Sequence, residues 1–215
     1  MEHKKTAEKV AKLLLELKAV TLSPDRPYTY TSGSKGPIYC DNRLILSYPD
    51  KRKEIIRAFA AMAKEKFHHF DIVAGIATAG IAHAALLAEE MGKPMIYVRS
   101  EAKDHGKQNQ IEGKLEKGQK VLVIEDLINT GGSSVNAVNA LKDAGAEVVA
   151  CMAIFTYSMP KAEQLFTDAD CPLHALSDFN TLVEQAVSTG YIDEMQKKTL
   201  LEWHADPKAW SEKFN

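Results

Sequence analysis

The chain has 215 residues, enough for one continuous hydrophobic core, and at 45% hydrophobic and 26% charged residues its composition is that of an ordinary soluble protein. A net charge of −2 provides no field to gather nucleic acid or an anionic membrane, so any anion must be captured by a local site. No apolar run approaches the roughly 18–20 residues that span a bilayer, and the scattered Cys40, Cys151 and Cys171 are poor material for disulfides or zinc, so a reducing, cytoplasmic setting is expected.

The N-terminus leads into an amphipathic stretch rather than a uniformly apolar one, so it is not read as a secretory signal. Val10, Leu13, Leu14 and Leu17 recur at helical spacing and predict a helix over residues 6–19. Residues 21–42 are rich in Ser, Thr, Tyr, Gly and Pro and predict turns and short strands. A second helix is expected over residues 50–67, with Ile55, Ile56, Phe59 and Met62 as its apolar stripe. Alternation then sets in. Apolar runs at 71–77, 95–99, 120–126, 147–157 and 172–177 read as strands, separated by helices at 81–91 and 132–144. That rhythm predicts βαβ units and an α/β fold with a mostly parallel sheet flanked by helices. The last 35 residues or so look helical, with Trp203 and Trp210 as packing residues, and no linker or repeat divides residues 1–215. In such sheets ligands bind outside the carboxyl ends of the strands.

One of those ends carries Glu125 and Asp126, followed by Leu127, Ile128, Asn129, Thr130, Gly131, Gly132, Ser133 and Ser134, and then a helix. Glycines allow a sharp turn that exposes backbone N–H groups, and a helix N-terminus favours phosphate. Thr130, Ser133 and Ser134 add hydroxyl donors. Carboxylates accept hydrogen bonds that ribose hydroxyls donate, so an acidic pair beside a phosphate cradle suits a ribose 5-phosphate. Neither a P-loop ending nor GxGxxG is present. The loop from Arg99 to Gly113 is polar and holds Arg99, Lys103, His105 and Lys107, which suits a lid closing over a polyanion.

The string from Val121 to Ser133 resembles the diphosphoribose-binding signature of type I phosphoribosyltransferases. Arg99, Lys103, Asp104, His105 and Gly106 resemble the catalytic loop of the orotate phosphoribosyltransferases. Tyr28 to Arg43 is similar to the hood, contributed by residues 1–48 or so, with which that family covers its base; the likeness runs from about residue 25 to 160.

The resemblance implies transfer of 5-phosphoribose from its 1-diphosphate to orotate, with Mg²⁺ assistance, in a homodimer whose lid is shared across subunits. It implies that Glu125 and Asp126 hold the ribose hydroxyls, directly or through the metal's hydration shell. It also implies that the loop from Leu127 to Ser133 lines the ribose phosphate site, with Thr130 to Ser133 cradling the phosphate. Arg99, Lys103 and His105 would clamp the diphosphate, with Lys103 the most costly to lose and Asp126 close to the chemistry. Ala79 stands where some members carry a lysine, as does Thr31, and the segment at Tyr157 lacks an arginine that others use on orotate. Arg43 and Asn129 are left for the orotate; Arg43 reads equally as a surface arginine and Asn129 as a turn residue.

Three rivals stand beside this, the weakest a ribose-diphosphate synthase-like relative, which would need a nucleotide site that the sequence does not show. A purine-specific enzyme of the same fold would need a different lid. A regulator sensing the ribose diphosphate would need a nucleic-acid-binding addition that the sequence lacks. The His68–His69 pair faces two directions and makes a poor metal site, and His83 lies on an apolar helix as a packing histidine.

Overall fold

A computed structural model describes residues 2–99 and 110–214. Helix α1 (Glu2–Glu16) precedes the short strands β1 (Val20–Leu22), β2 (Tyr28–Thr29), β3 (Lys35–Gly36) and β4 (Ile38–Cys40), and a 3-10 turn (Asn42–Ser47). The alternating part follows: α2 (Pro49–Lys66), β5 (Ile72–Ile76), α3 (Ala79–Met91), β6 (Met95–Val98), β7 (Ile111–Glu112), β8 (Lys120–Ile128), α4 (Gly132–Asp143), β9 (Glu147–Thr156), α5 (Pro160–Asp168) and β10 (Leu173–Asp178). Helices α6 (Phe179–Ser188), α7 (Glu194–Ala205) and α8 (Pro207–Glu212) end the chain. Two compact units are distinguished: Leu46–Leu176, and the chain up to Ile45 together with Ser177–Asn215.

The first unit carries a six-stranded sheet in the order β10-β9-β8-β5-β6-β7. Strands β6, β5, β8 and β9 run parallel, and β7 pairs antiparallel with β6 at the edge. The apolar composition explains this burial: every residue of β5 is buried, as are Val121 to Glu125 of β8. One face packs Ile72, Ala74, Val121, Val123, Cys151 and Ala153 with Val135, Val138 and Leu141 of α4 and Ala162 and Phe166 of α5. Each fully buried aliphatic or aromatic side chain contributes about 1.5–3 kcal/mol. Asp71 ties the starts of β5 and β8 together, accepting from the Lys120 N–H at 2.7 Å while its own N–H donates to Lys120 O at 2.8 Å. The α2 stripe is as expected, Ile55, Ile56, Phe59 and Met62 all facing inward.

In the second unit, β1 and β4 pair antiparallel and β2 and β3 form a hairpin. Helix α1 packs on α6, and the buried Ser177 hydroxyl donates to Ala7 O at 2.9 Å. Phe179 stacks on His204 at 4.4 Å, beside a buried Trp203. Helix α7 opens with a capping box, Asp193 accepting from the Gln196 N–H and Gln196 from the Asp193 N–H.

Several boundaries differ from expectation. The first helix starts at Glu2 rather than residue 6, and α3 starts at Ala79 rather than 81. More consequential is β8, which runs past its acidic pair to Ile128, because Leu127 and Ile128 still find ladder partners in Phe155 and Thr156.

Candidate active site

Because β5, β6, β8 and β9 are parallel, their carboxyl ends share one edge, and Arg99, Glu125, Asp126 and the loop after them lie at these ends. The acidic pair is built into β8 itself. Glu125 is 7% exposed, and its carboxylate accepts from its neighbour's N–H (Asp126 N–Oε1 3.0 Å) and from the Ser134 hydroxyl (Oγ–Oε2 3.3 Å). Burial, and then the charge of Asp126, push the Glu125 carboxyl well above the usual carboxylate range. Asp126 is half-buried, so the two carboxylates sit in different surroundings.

Ser134 therefore does not serve the phosphate cradle as expected. Ser134 is buried, and its hydroxyl is committed to Glu125, because one turn of α4 carries it around to the core side. Asn129, Thr130 and Ser133 are exposed and Leu127 half-buried. Ile128 is in the core, and its carbonyl accepts from the Tyr157 N–H at 2.9 Å, fixing the loop from below. Gly131 caps α4 with φ +80°, and a Cβ there would lie 3.2 Å from Ala162 Cα. Among the described residues no side-chain cap bond is made at this helix start, whose first N–H groups have no intrahelical acceptor.

A second helix start, at Ala79, adjoins the acidic pair. Gly80 lies so close to β8 that a Cβ would sit 2.5 Å from Ile124 O and 3.4 Å from Glu125 Cα. Thr78 is exposed at the N-terminus of α3, without a side-chain cap bond. The signal was present: Gly80 follows the buried run by four residues, where a glycine permits close backbone approach.

Arg99 closes the stem of the predicted lid. Its N–H donates to Gln110 O at 2.9 Å, the Gln110 side chain donates back to Arg99 O at 2.8 Å, and its guanidinium lies 3.9 Å from Glu112. Lys103, His105 and Lys107 lie outside the described residues. Arg43 belongs to the other unit, where its guanidinium grips Asp41 through Nε–Oδ1 at 2.6 Å and Nη2–Oδ2 at 2.9 Å. That grip holds the Asp41 carboxyl below its ordinary range, and the Arg43 side chain is 63% exposed. His69 pairs with Asp71 at 2.8 Å.

Among the described residues no three acidic, His or Cys side chains converge on one metal position. Two adjacent carboxylates, one buried at an electrostatic cost, nonetheless fit Mg²⁺, which takes one or two carboxylates and completes its shell with water and substrate phosphate.

The phosphoribosyl transferase domain family matches residues 46–185. The chain is 57% identical to the orotate phosphoribosyltransferase of Coxiella burnetii over 204 residues, covering 95% of this chain and 98% of that protein. Among solved structures it resembles the orotate phosphoribosyltransferase of Aeropyrum pernix (TM-score 0.73, 27% identity, 85% of this chain and 99% of that one). It also resembles the UMP synthase of Leishmania donovani (TM-score 0.78, 27% identity, 93% of this chain), of which it spans 42%. The parallel sheet, the acidic strand running into a glycine-capped helix and these likenesses agree: the chain belongs to the orotate phosphoribosyltransferases.

Proposed function

We propose that this chain transfers 5-phosphoribose from 5-phospho-α-D-ribose 1-diphosphate to orotate, giving orotidine 5′-monophosphate and diphosphate in de novo UMP synthesis. The observation that carries the reading is Glu125 and Asp126 standing between two uncapped helix starts, Thr78–Gly80 and Gly131–Ser133. An acceptor pair for vicinal hydroxyls flanked by two sets of free N–H groups matches a sugar phosphorylated at both ends. The α4 start would take the 5-phosphate and the α3 start the diphosphate, which makes up for the missing lysine at Ala79.

As the C1–O bond breaks, negative charge grows on the diphosphate and C1 becomes cation-like. Arg99, Lys103 and His105 would answer the first and the carboxylates the second. Mg²⁺ held by Asp126 and Glu125, directly or through water, would supply further charge neutralisation on the diphosphate. Asn129, exposed in the loop before α4, is one of the two residues expected to meet orotate. A cytoplasmic homodimer with the lid shared between subunits belongs to the same proposal.

The test is a spectrophotometric assay with the ribose diphosphate and Mg²⁺, offering orotate beside uracil, adenine, hypoxanthine and xanthine. Turnover of orotate alone is expected. Turnover of a purine instead would reassign the base, and tight nucleic-acid binding without turnover of any base would favour a regulator.

A further inference from the structure

The hydroxyl that holds Glu125 belongs to the same helix whose start is proposed to take the 5-phosphate. Glu125 lies in β8 with its backbone paired to Ala153 of β9, and a Cβ on Gly80 of α3 would come within 3.4 Å of its Cα. Its backbone is therefore held from both sides. The side chain is fixed as well: Oε1 accepts from the Asp126 N–H at 3.0 Å and Oε2 from the Ser134 hydroxyl at 3.3 Å. An ionised carboxylate offers about four acceptor sites. These two bonds do not exhaust it, and a ribose hydroxyl can donate to what remains.

The two bonds differ in what they connect. The Asp126 N–H is the next residue along β8, so that bond comes with the strand. The Ser134 bond crosses from β8 to α4, nine positions on. Ser134 is 2% exposed, on the side of α4 that also buries Val135, Val138 and Leu141, so little water competes for its hydroxyl. Ser133, one position earlier, is exposed. Successive helical residues point about 100° apart, so one turn of α4 presents Ser133 to the loop and Ser134 to the carboxylate. A bond between two packed elements fixes the spacing from the helix start to the carboxylate. That spacing matters to a ligand carrying a phosphate and a pair of hydroxyls on one small ring.

We propose that Ser134 is a positioning residue, setting the Glu125 carboxylate against the α4 start so that one ligand's 5-phosphate and ribose hydroxyls are met together. This rests on reading Glu125 and the α4 start as the ribose phosphate site. The expected consequence is selective. With EDTA present, Ser134→Ala should weaken ribose 5-phosphate roughly two- to tenfold in a binding titration, the worth of one net hydrogen bond. Inorganic phosphate, which reaches only the helix start, should stay within about twofold. In turnover, KM for the ribose diphosphate should rise by a similar factor while KM for orotate stays within about twofold. In a Glu125→Ala background, which has no carboxylate to place, Ser134→Ala should make no further difference to ribose 5-phosphate.

Should Ser134→Ala fold poorly, Ser134→Cys keeps nearly the same size with a weaker donor and should show a smaller loss of the same selectivity. An unmoved affinity for ribose 5-phosphate would overturn the proposal. So would equal weakening of phosphate and ribose 5-phosphate, the mark of a loosened helix start, or an undiminished Ser134→Ala effect in the Glu125→Ala background. A wild type that binds phosphate but gains nothing from the ribose would instead sink the reading of the ribose site, and the role of Ser134 with it.

Discussion

Glu125 and His83 are both buried titratable groups, and their surroundings give them opposite fates. Glu125 keeps acceptor bonds from the Asp126 N–H and Ser134, and it belongs to the proposed ribose site. Glu125→Gln preserves the shape and one acceptor while removing the charge. It should therefore raise the Tm of the free protein by roughly 3–10 °C and weaken ribose diphosphate binding by about an order of magnitude; calorimetry with titration of the ligand checks both. His83, on α3, has no hydrogen-bond partner for either ring nitrogen among the described residues. Burial, and then Arg52 on α2, push its value down to about 4. A folded value below the unfolded 6.5 means stability is full above pH 6.5 and is lost as pH falls towards 4. Between pH 7 and 4.5 the wild type should lose about 2 kcal/mol more than His83→Leu in urea melts.

Among elements, the glycine-capped start of α4 is the most exacting. Gly131 combines a left-handed φ of +80° with backbone 3.2 Å from its would-be Cβ. Gly131→Ala should cost about 1–3 kcal/mol of folding stability. It should weaken ribose 5-phosphate more than orotate, measurable by denaturation and by binding titrations of each. The segment proposed as a lid is the second such case. Its flanking residues Arg99 and Gln110 are joined by reciprocal bonds at the carboxyl end of β6, and Lys103→Ala should lower kcat by about two or more orders of magnitude without loss of circular dichroism. An unchanged kcat would remove the lid from the chemistry.

For the whole molecule, the clearest prediction concerns ligand-linked stability. At about one hundred times its Kd, the ribose diphosphate should stabilise the fold by about 2.7 kcal/mol, a rise of roughly 5–10 °C in Tm for a chain of this size. Ribose without phosphates should give no shift, since it offers nothing to the helix starts.

The molecule also separates what a chain states locally from what only folding can assemble. The acidic strand, the glycine turn and the helix after it are contiguous, so the nine residues from Glu125 to Ser133 suffice to propose a ribose phosphate site. Strands, helices and the α/β class followed from apolar runs and periodicity for the same reason. Lys103 and His105 were legible as lid cations but lie outside the described residues. Missed were features made by residues far apart, or by rotation around a helix. Ser134 turns to Glu125 because α4 rotates about 100° per residue, and β8 outlasts its acids because β9 continues beside it. Gly80 meets Ile124 O only once α3 lies on the sheet, and Ser211 reaches Lys35 across 176 positions. Local pattern carries the chemistry of hydrogen-bond donors and acceptors; their partners, when distant in sequence, are chosen by packing.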